Sequence, residues 1–209
     1  MLSAPGDGAL VSSVLGRADG SLVVGGSTAI PATAQYGGFA IALADQARGF
    51  CFGDASAGPC PCDNASEPGT WSGCANSTGG AARLADAGLA SLGADTLAMS
   101  VSGTPPTATC VFLQGSAEVA PVPFGDGLRC IGGSLLRLYV VGASGGVASA
   151  PGAGDRGFSA RSAALGDALA PGTTRYHQAH YRDPDPGFCA APQGATFNAS
   201  GALAITWAP

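Results

Sequence analysis

Seven cysteines stand in a chain of 209 residues, and four of them, Cys51, Cys60, Cys62 and Cys74, crowd into one stretch of Gly, Pro, Asn and Ser. No apolar period of two or 3.6 runs through residues 50 to 78, so this segment has no face to bury and depends on covalent bonds. A zinc site is the competing use of Cys60-Pro61-Cys62 and Cys74. Paired zinc ligands usually stand two or more residues apart, so that both sulfurs reach one tetrahedral ion, and a C-x-C pair does not supply that. Disulfides are the better reading, and they place the chain in an oxidising compartment. The expected arrangement is two bridges inside the 51–74 cluster, in one of three connectivities, and a third bridge from Cys130 to Cys189. Each would contribute on the order of 2–4 kcal/mol by restricting the unfolded chain. Cys110 is left over, a buried thiol in Cys110-Val111-Phe112-Leu113.

Around this cluster the sequence is built of short apolar runs and turn residues. Gly 34 and Pro 15 approach the level at which disorder competes. Runs such as Leu135-Leu136-Arg137-Leu138-Tyr139-Val140-Val141 bury enough apolar surface to offset chain entropy. The expected fold is therefore all-β, an antiparallel β-sandwich with a disulfide-rich loop region and an N-terminal β-hairpin segment. Residues 1–49 form the hairpin segment, 50–78 the disulfide-rich loop region and 79–209 the sandwich. The cluster then acts as a clasp between the first segment and the sandwich. In the N-terminal segment, Asp19-Gly20 between two apolar runs is a hairpin signal, because Gly supplies the positive φ of the turn. In the sandwich, alternation puts Leu97, Met99 and Val101 on one face, as it does Val111 with Leu113, and Leu136 with Leu138 and Val140. Further strands are expected at 157–163, 174–182 and 203–207. Residues 79–93 have some helical propensity, but Gly79, Gly80, Gly88 and Gly93 favour strand or irregular structure.

Charge excludes several functions. Charged residues make up 11% of the chain, the net charge is −5, and all nine basic residues are arginine. A GC-rich genome accounts for the missing lysine. No basic cluster is present to hold a phosphate backbone, so nucleic acid is not an expected partner. No run of about 18 apolar residues exists to span a bilayer. The first residues, Met1 to Asp7, lack the basic and apolar regions of a signal peptide. With an oxidising compartment inferred, the expectation is that the chain was cut from a longer precursor.

Candidate chemistry is sparse. Gly142-Ala143-Ser144-Gly145-Gly146 matches the nucleophile elbow of hydrolases, but the elbow must open a helix, and Val147 to Gly152 does not read as one. His177 and His180 point to opposite faces of a strand and cannot easily share a metal. Asp54, Asp63, Asp126, Asp155, Asp183 and Asp185 sit in turns, where Asp is favoured for capping; without a D-x-D-x-D-G string, calcium is a minority reading. Asn64, Asn76 and Asn198 open N-glycosylation sequons, read as accidental. Trp71, Tyr176 and Tyr181 could form a sugar-stacking platform, with Trp71 the most exposed and Trp207 in the core. No catalytic residue, metal ligand or cofactor site is expected.

Two stretches carry a resemblance. Asp19 to Gly26 resembles one blade of a β-propeller, a unit that needs neighbours to bury its faces. From Cys51 on, the chain resembles a C-terminal module of large secreted proteins predicted from environmental bacteria. The matching residues are Cys51-Phe52-Gly53-Asp54, Cys60-Pro61-Cys62, Gly73-Cys74-Ala75-Asn76-Ser77, Phe124 to Cys130, Tyr181-Arg182-Asp183, Phe188-Cys189 and Ile205-Thr206-Trp207. The resemblance covers about three quarters of the chain, and Cys110 lies outside its six-cysteine frame. It implies an extracellular accessory module and brings no activity with it. The expected function is a non-enzymatic structural or adhesive surface module. Its partners are other copies of itself or cell-surface and extracellular components. Carbohydrate binding, with polysaccharide as partner, is the alternative, and a hydrolase using Ser144 is the weaker one.

Overall fold

Apolar residues separated by single polar ones, with glycine and proline between the runs, fold here into antiparallel strands. The computed structural model describes residues 9–16, 22–30, 35–43, 47–189 and 196–209. The chain divides into two compact units, Met1–Asp45 and Gln46–Pro209.

The first unit is a three-stranded meander, β1 (Ala9–Gly16), β2 (Leu22–Ile30) and β3 (Gln35–Leu43), paired antiparallel in that order. Val24 stands opposite Val14 on one side and Ile41 on the other. The expected Asp19-Gly20 turn lies outside the described residues.

The second unit begins with β4 (Ala47–Phe50), whose Phe50 pairs with Ala202 of β11 (Phe197–Thr206). Residues 47–49 thus belong to the sandwich. So does the cysteine-rich stretch, which is part of the same compact unit. Two sheets make the sandwich. β5 (Arg83–Ala87), β6 (Ala98–Ser102) and β9 (Val147–Ala150) form the smaller one, in the order β5-β6-β9. The larger contains β7 (Thr109–Phe124), β8 (Gly127–Gly142) and β10 (Thr174–Arg182), in the order β4-β11-β10-β7-β8. Between them lies the main core: Leu97, Met99 and Val101 meet Phe112, Leu138, Tyr181 and Ile205, with Trp207 at 1% exposure. Cys110, the unpaired thiol, is buried in this core. Leu97, Met99 and Val101 are all buried, as alternation requires. Leu136, Leu138 and Val140 do not share one face's burial. The register slips between Phe112 and Leu113, so that Tyr139 and Arg137 stand opposite neighbouring residues and Leu138 is extra. A bulge of this kind leaves Val140 65% exposed.

The segment expected as a strand at 157–163 is a helix, α1 (Phe158–Ala164). Its first residue, Phe158, is fully buried, and the Asp95 carboxylate from a distant loop caps its start, accepting from Ser159 N at 3.1 Å and Ser159 Oγ at 2.7 Å. Gly157 lets that carboxylate approach, since a Cβ would stand 2.4 Å from its oxygen and displace it from the cap. The cap is supplied through tertiary contact, which no local pattern announces.

The opposite face of the larger sheet carries a second core, formed by Phe50, Leu113, Leu128, Ile131, Ala202 and Ala204 with four cysteines. The bridges are Cys51–Cys130, Cys60–Cys74 and Cys62–Cys189, with Cα separations of 5.9, 5.9 and 5.3 Å. Only one therefore closes inside the cluster, and the expected Cys130–Cys189 bridge is not formed. Cys51 follows the edge strand β4 and faces the folded-over start of β8, which brings Cys130 within bonding reach. The bridges from the cluster run to β8 and to the stretch after β10, all within the second unit.

Candidate ligand-binding cleft

The β7–β8 hairpin is too long to remain flat. His180 of β10 pairs with Val111 near the start of β7. At about 3.3 Å per residue, a straight strand would carry Phe124 roughly 40 Å beyond Val111. Instead the Phe124 ring lies 4.2 Å from the His180 ring, and its edge meets Phe197 at 4.9 Å. Register shifts at Gly115/Ala117 and Glu118/Val122 mark where the hairpin turns back. Its tip is fastened to the sheet from several directions. Asp126 N donates to Phe197 O at 2.9 Å, and Asn64 Nδ2 donates to Asp126 O at 2.8 Å. Gly125 has φ +61, and a Cβ there would stand 2.2 Å from Phe197 O. Gln178, fully buried, donates to Leu128 O and Ser200 O at 2.8 Å, and accepts from Cys130 N at 3.3 Å.

Between the returned tip and the sheet lies a cleft of about 560 Å³. Its walls are largely apolar, with Val111, Leu113, Leu135 and Phe197 from the strands of the sheet and Phe124 from the returned tip. Three arginines, Arg129, Arg137 and Arg182, line it together with His180, and among the described residues no Asp or Glu does. Arg129 lies 5.5 Å over the Phe124 ring. Its Nε and the Nε2 of His180 are buried without a hydrogen-bond partner among the described residues. Burial, and then the Arg129 and Arg137 charges, push His180 down to about 4, so it is neutral at ordinary pH. The cleft therefore offers fixed positive charge, two unused polar nitrogens and apolar walls. Such a site favours an anionic group on a partly apolar body.

The residues singled out from sequence lie elsewhere, apart from His180 and Tyr181. Tyr181 borders the cleft but is 2% exposed, and its hydroxyl accepts from Asn76 Nδ2 at 3.3 Å. It cannot stack on a sugar. Tyr176 packs edge-on against Phe50, with centroids 6.0 Å apart. Trp71 is 57% exposed and carries the Arg83 guanidinium 5.1 Å over its ring. Burial of Tyr181 thus removes the three-ring platform. Ser144 sits at the start of a tight turn, where Ser144 N donates to Val147 O at 2.9 Å and strand β9 follows; the helix an elbow needs is not there. His177 is buried against Phe158, on the core side of the sheet, and burial drives it down to about 3. Among the described residues, the grouping of metal-capable side chains is Cys62, Asp126 and Cys189, whose two sulfurs are already bonded to each other. Cys60 and Cys74 are likewise bridged rather than free to bind zinc. The sequon asparagines have structural work: Asn76 and Asn198 are fully buried, and Asn64 donates to Ala75 O and Asp126 O.

Arg129 and Arg182 fall inside the segments quoted for the resemblance, yet nothing local marks them as site residues. Only the folding-back of the hairpin brings them together. Comparison with protein-family models, curated proteins and solved structures finds no match to this chain.

Proposed function

We propose that this chain is an extracellular, non-catalytic binding module that attaches to an anionic component of a cell surface or matrix. The observation that carries this reading is the cleft itself: three arginines converge with no carboxylate to neutralise them, and Arg129 Nε and His180 Nε2 await a partner. A buried N–H of a guanidinium left without an acceptor is costly, and an anion supplies one. Three disulfides suit an oxidising, extracellular setting, and no helix is long and apolar enough to cross a membrane. The test is calorimetric titration of the oxidised chain with digalacturonate and inorganic sulfate, beside neutral disaccharide. Digalacturonate binds, and Arg129→Gln weakens it about 10- to 100-fold, the worth of one charge-assisted hydrogen-bonded contact. Equal binding of the neutral sugar, or no effect of Arg129→Gln, counts against the reading.

Packing with other copies is a second reading. It is favoured by Val140 and Val147, which are 65% and 45% exposed on the edge strands β8 and β9. Sedimentation at rising concentration separates the two: a single monomeric species removes self-packing and leaves the cleft reading intact.

A further inference from the structure

The arginines of the second unit are not spread evenly. Arg48 pairs with Glu118 at 2.5 Å, Arg175 with Asp167 at 2.6 Å, and Arg83 lies over Trp71. The other five, Arg129, Arg137, Arg156, Arg161 and Arg182, pair with no carboxylate among the described residues, and all five line one of two adjoining depressions. The first is the cleft already described. The second, of about 410 Å³, is lined by Arg137, Arg156 and Arg161 with Val140 and Asp155. Asp155 is partly occupied, since its Oδ2 accepts from Gly152 N at 2.9 Å. Arg161 is held in place by donating Nε to Leu138 O at 2.8 Å. Arg137 borders both depressions, and it stands on β8, the last strand of its sheet, so no further strand of that sheet lies between one and the other.

From this we infer that the ligand is an acidic polysaccharide chain, which enters the cleft at Arg129 and Arg182, crosses β8 at Arg137 and continues into the groove at Arg156. The inference rests on the cleft reading and names its ligand class. A small anion would need only the first depression. A chain with a carboxylate or sulfate on successive sugars gives each free arginine a counter-charge, and its apolar ring faces can lie on Val111 and Leu135. Nucleic acid fits less well. Stacked bases need a free aromatic face, and Phe124 is already in contact with His180, Arg129 and Phe197. The chain's net charge of −5 also gives no broad field for a phosphate backbone.

The experiment is a length series of oligogalacturonates, from two to eight sugars, titrated into the full oxidised chain. Neutral oligosaccharides, single-stranded DNA of matched charge and anionic phosphatidylserine vesicles serve as comparisons. Affinity rises with length until both depressions are filled, and Arg156→Gln then lowers it about tenfold for the octamer while leaving the dimer unchanged. Arg137→Gln weakens both, and unchanged thermal midpoints show that neither variant has lost its fold. Affinity independent of length, or an Arg156→Gln octamer bound as tightly as by the parent chain, overturns the two-groove inference. If the dimer still binds through Arg129, the simpler cleft reading survives that result. Tighter binding of DNA or vesicles than of octagalacturonate overturns the polysaccharide assignment, and loss of all anion binding removes both proposals.

Discussion

His177 is an ionisable group held where it cannot ionise. It is 1% exposed and packed against the Phe158 ring, and burial lowers it from 6.5 to about 3. Its folded value lies below its unfolded one, so between those values the unfolded chain binds the proton and the folded chain does not. The stability involved is therefore complete above about pH 6.5 and is lost as pH falls towards 3. His180, lowered to about 4, acts in the same direction. Each histidine contributes up to about 1.4 kcal/mol per pH unit in its window. Urea midpoints are expected to fall steadily from pH 6.5 to 4.5, and His177→Leu is expected to flatten that slope. An unchanged slope in the variant would show that the acid lability resides in other groups.

Among the elements, α1 is the one whose existence depends most on a residue far away in sequence. Asp95→Ala removes the acceptor for Ser159 N and Oγ and is expected to cost about 0.5–2 kcal/mol, the usual range for a lost cap. Chemical denaturation measures this, and Asp95→Asn, which keeps an acceptor, should recover part of the loss. The same dependence explains what could be read from the chain and what could not. Strand β6 and its buried Leu97, Met99 and Val101 follow from alternation alone. The helix did not, because a glycine start and a borrowed cap leave no local signature. The cleft did not either. Arg129 and Arg182 look like ordinary strand residues until bulges in β7 and β8 return the hairpin over β10 and bring Phe124 to His180. Burial of Tyr181 was hidden for a similar reason, since period two gives which face a residue shares but not which face is covered.

At the scale of the molecule, the disulfides differ in what they restrict. Cys51–Cys130 and Cys62–Cys189 join residues 79 and 127 positions apart, whereas Cys60–Cys74 spans 14. In the chain-entropy model the two long bridges are worth about 4–5 kcal/mol each and the short one about 3. The double variant Cys51→Ala/Cys130→Ala is therefore expected to lower the urea midpoint more than Cys60→Ala/Cys74→Ala. It should also release the hairpin tip and weaken anion binding, because Cys130 adjoins Arg129. Equal losses in stability, with binding intact, would mean that Gln178 and the Phe197 contacts hold the tip unaided.

The connectivity has a further consequence for how such a chain is made. Cys189, the native partner of Cys62, emerges last of the seven cysteines, while Cys51, Cys60 and Cys74 are already available to Cys62. A chain delivered from its N-terminus passes through a long interval in which Cys51 and Cys62, each awaiting a distant partner, stand close enough in sequence to close the wrong bridge. Correct maturation then depends on reshuffling that pair late, after β10 has been laid down, so that the native bond is the last to close.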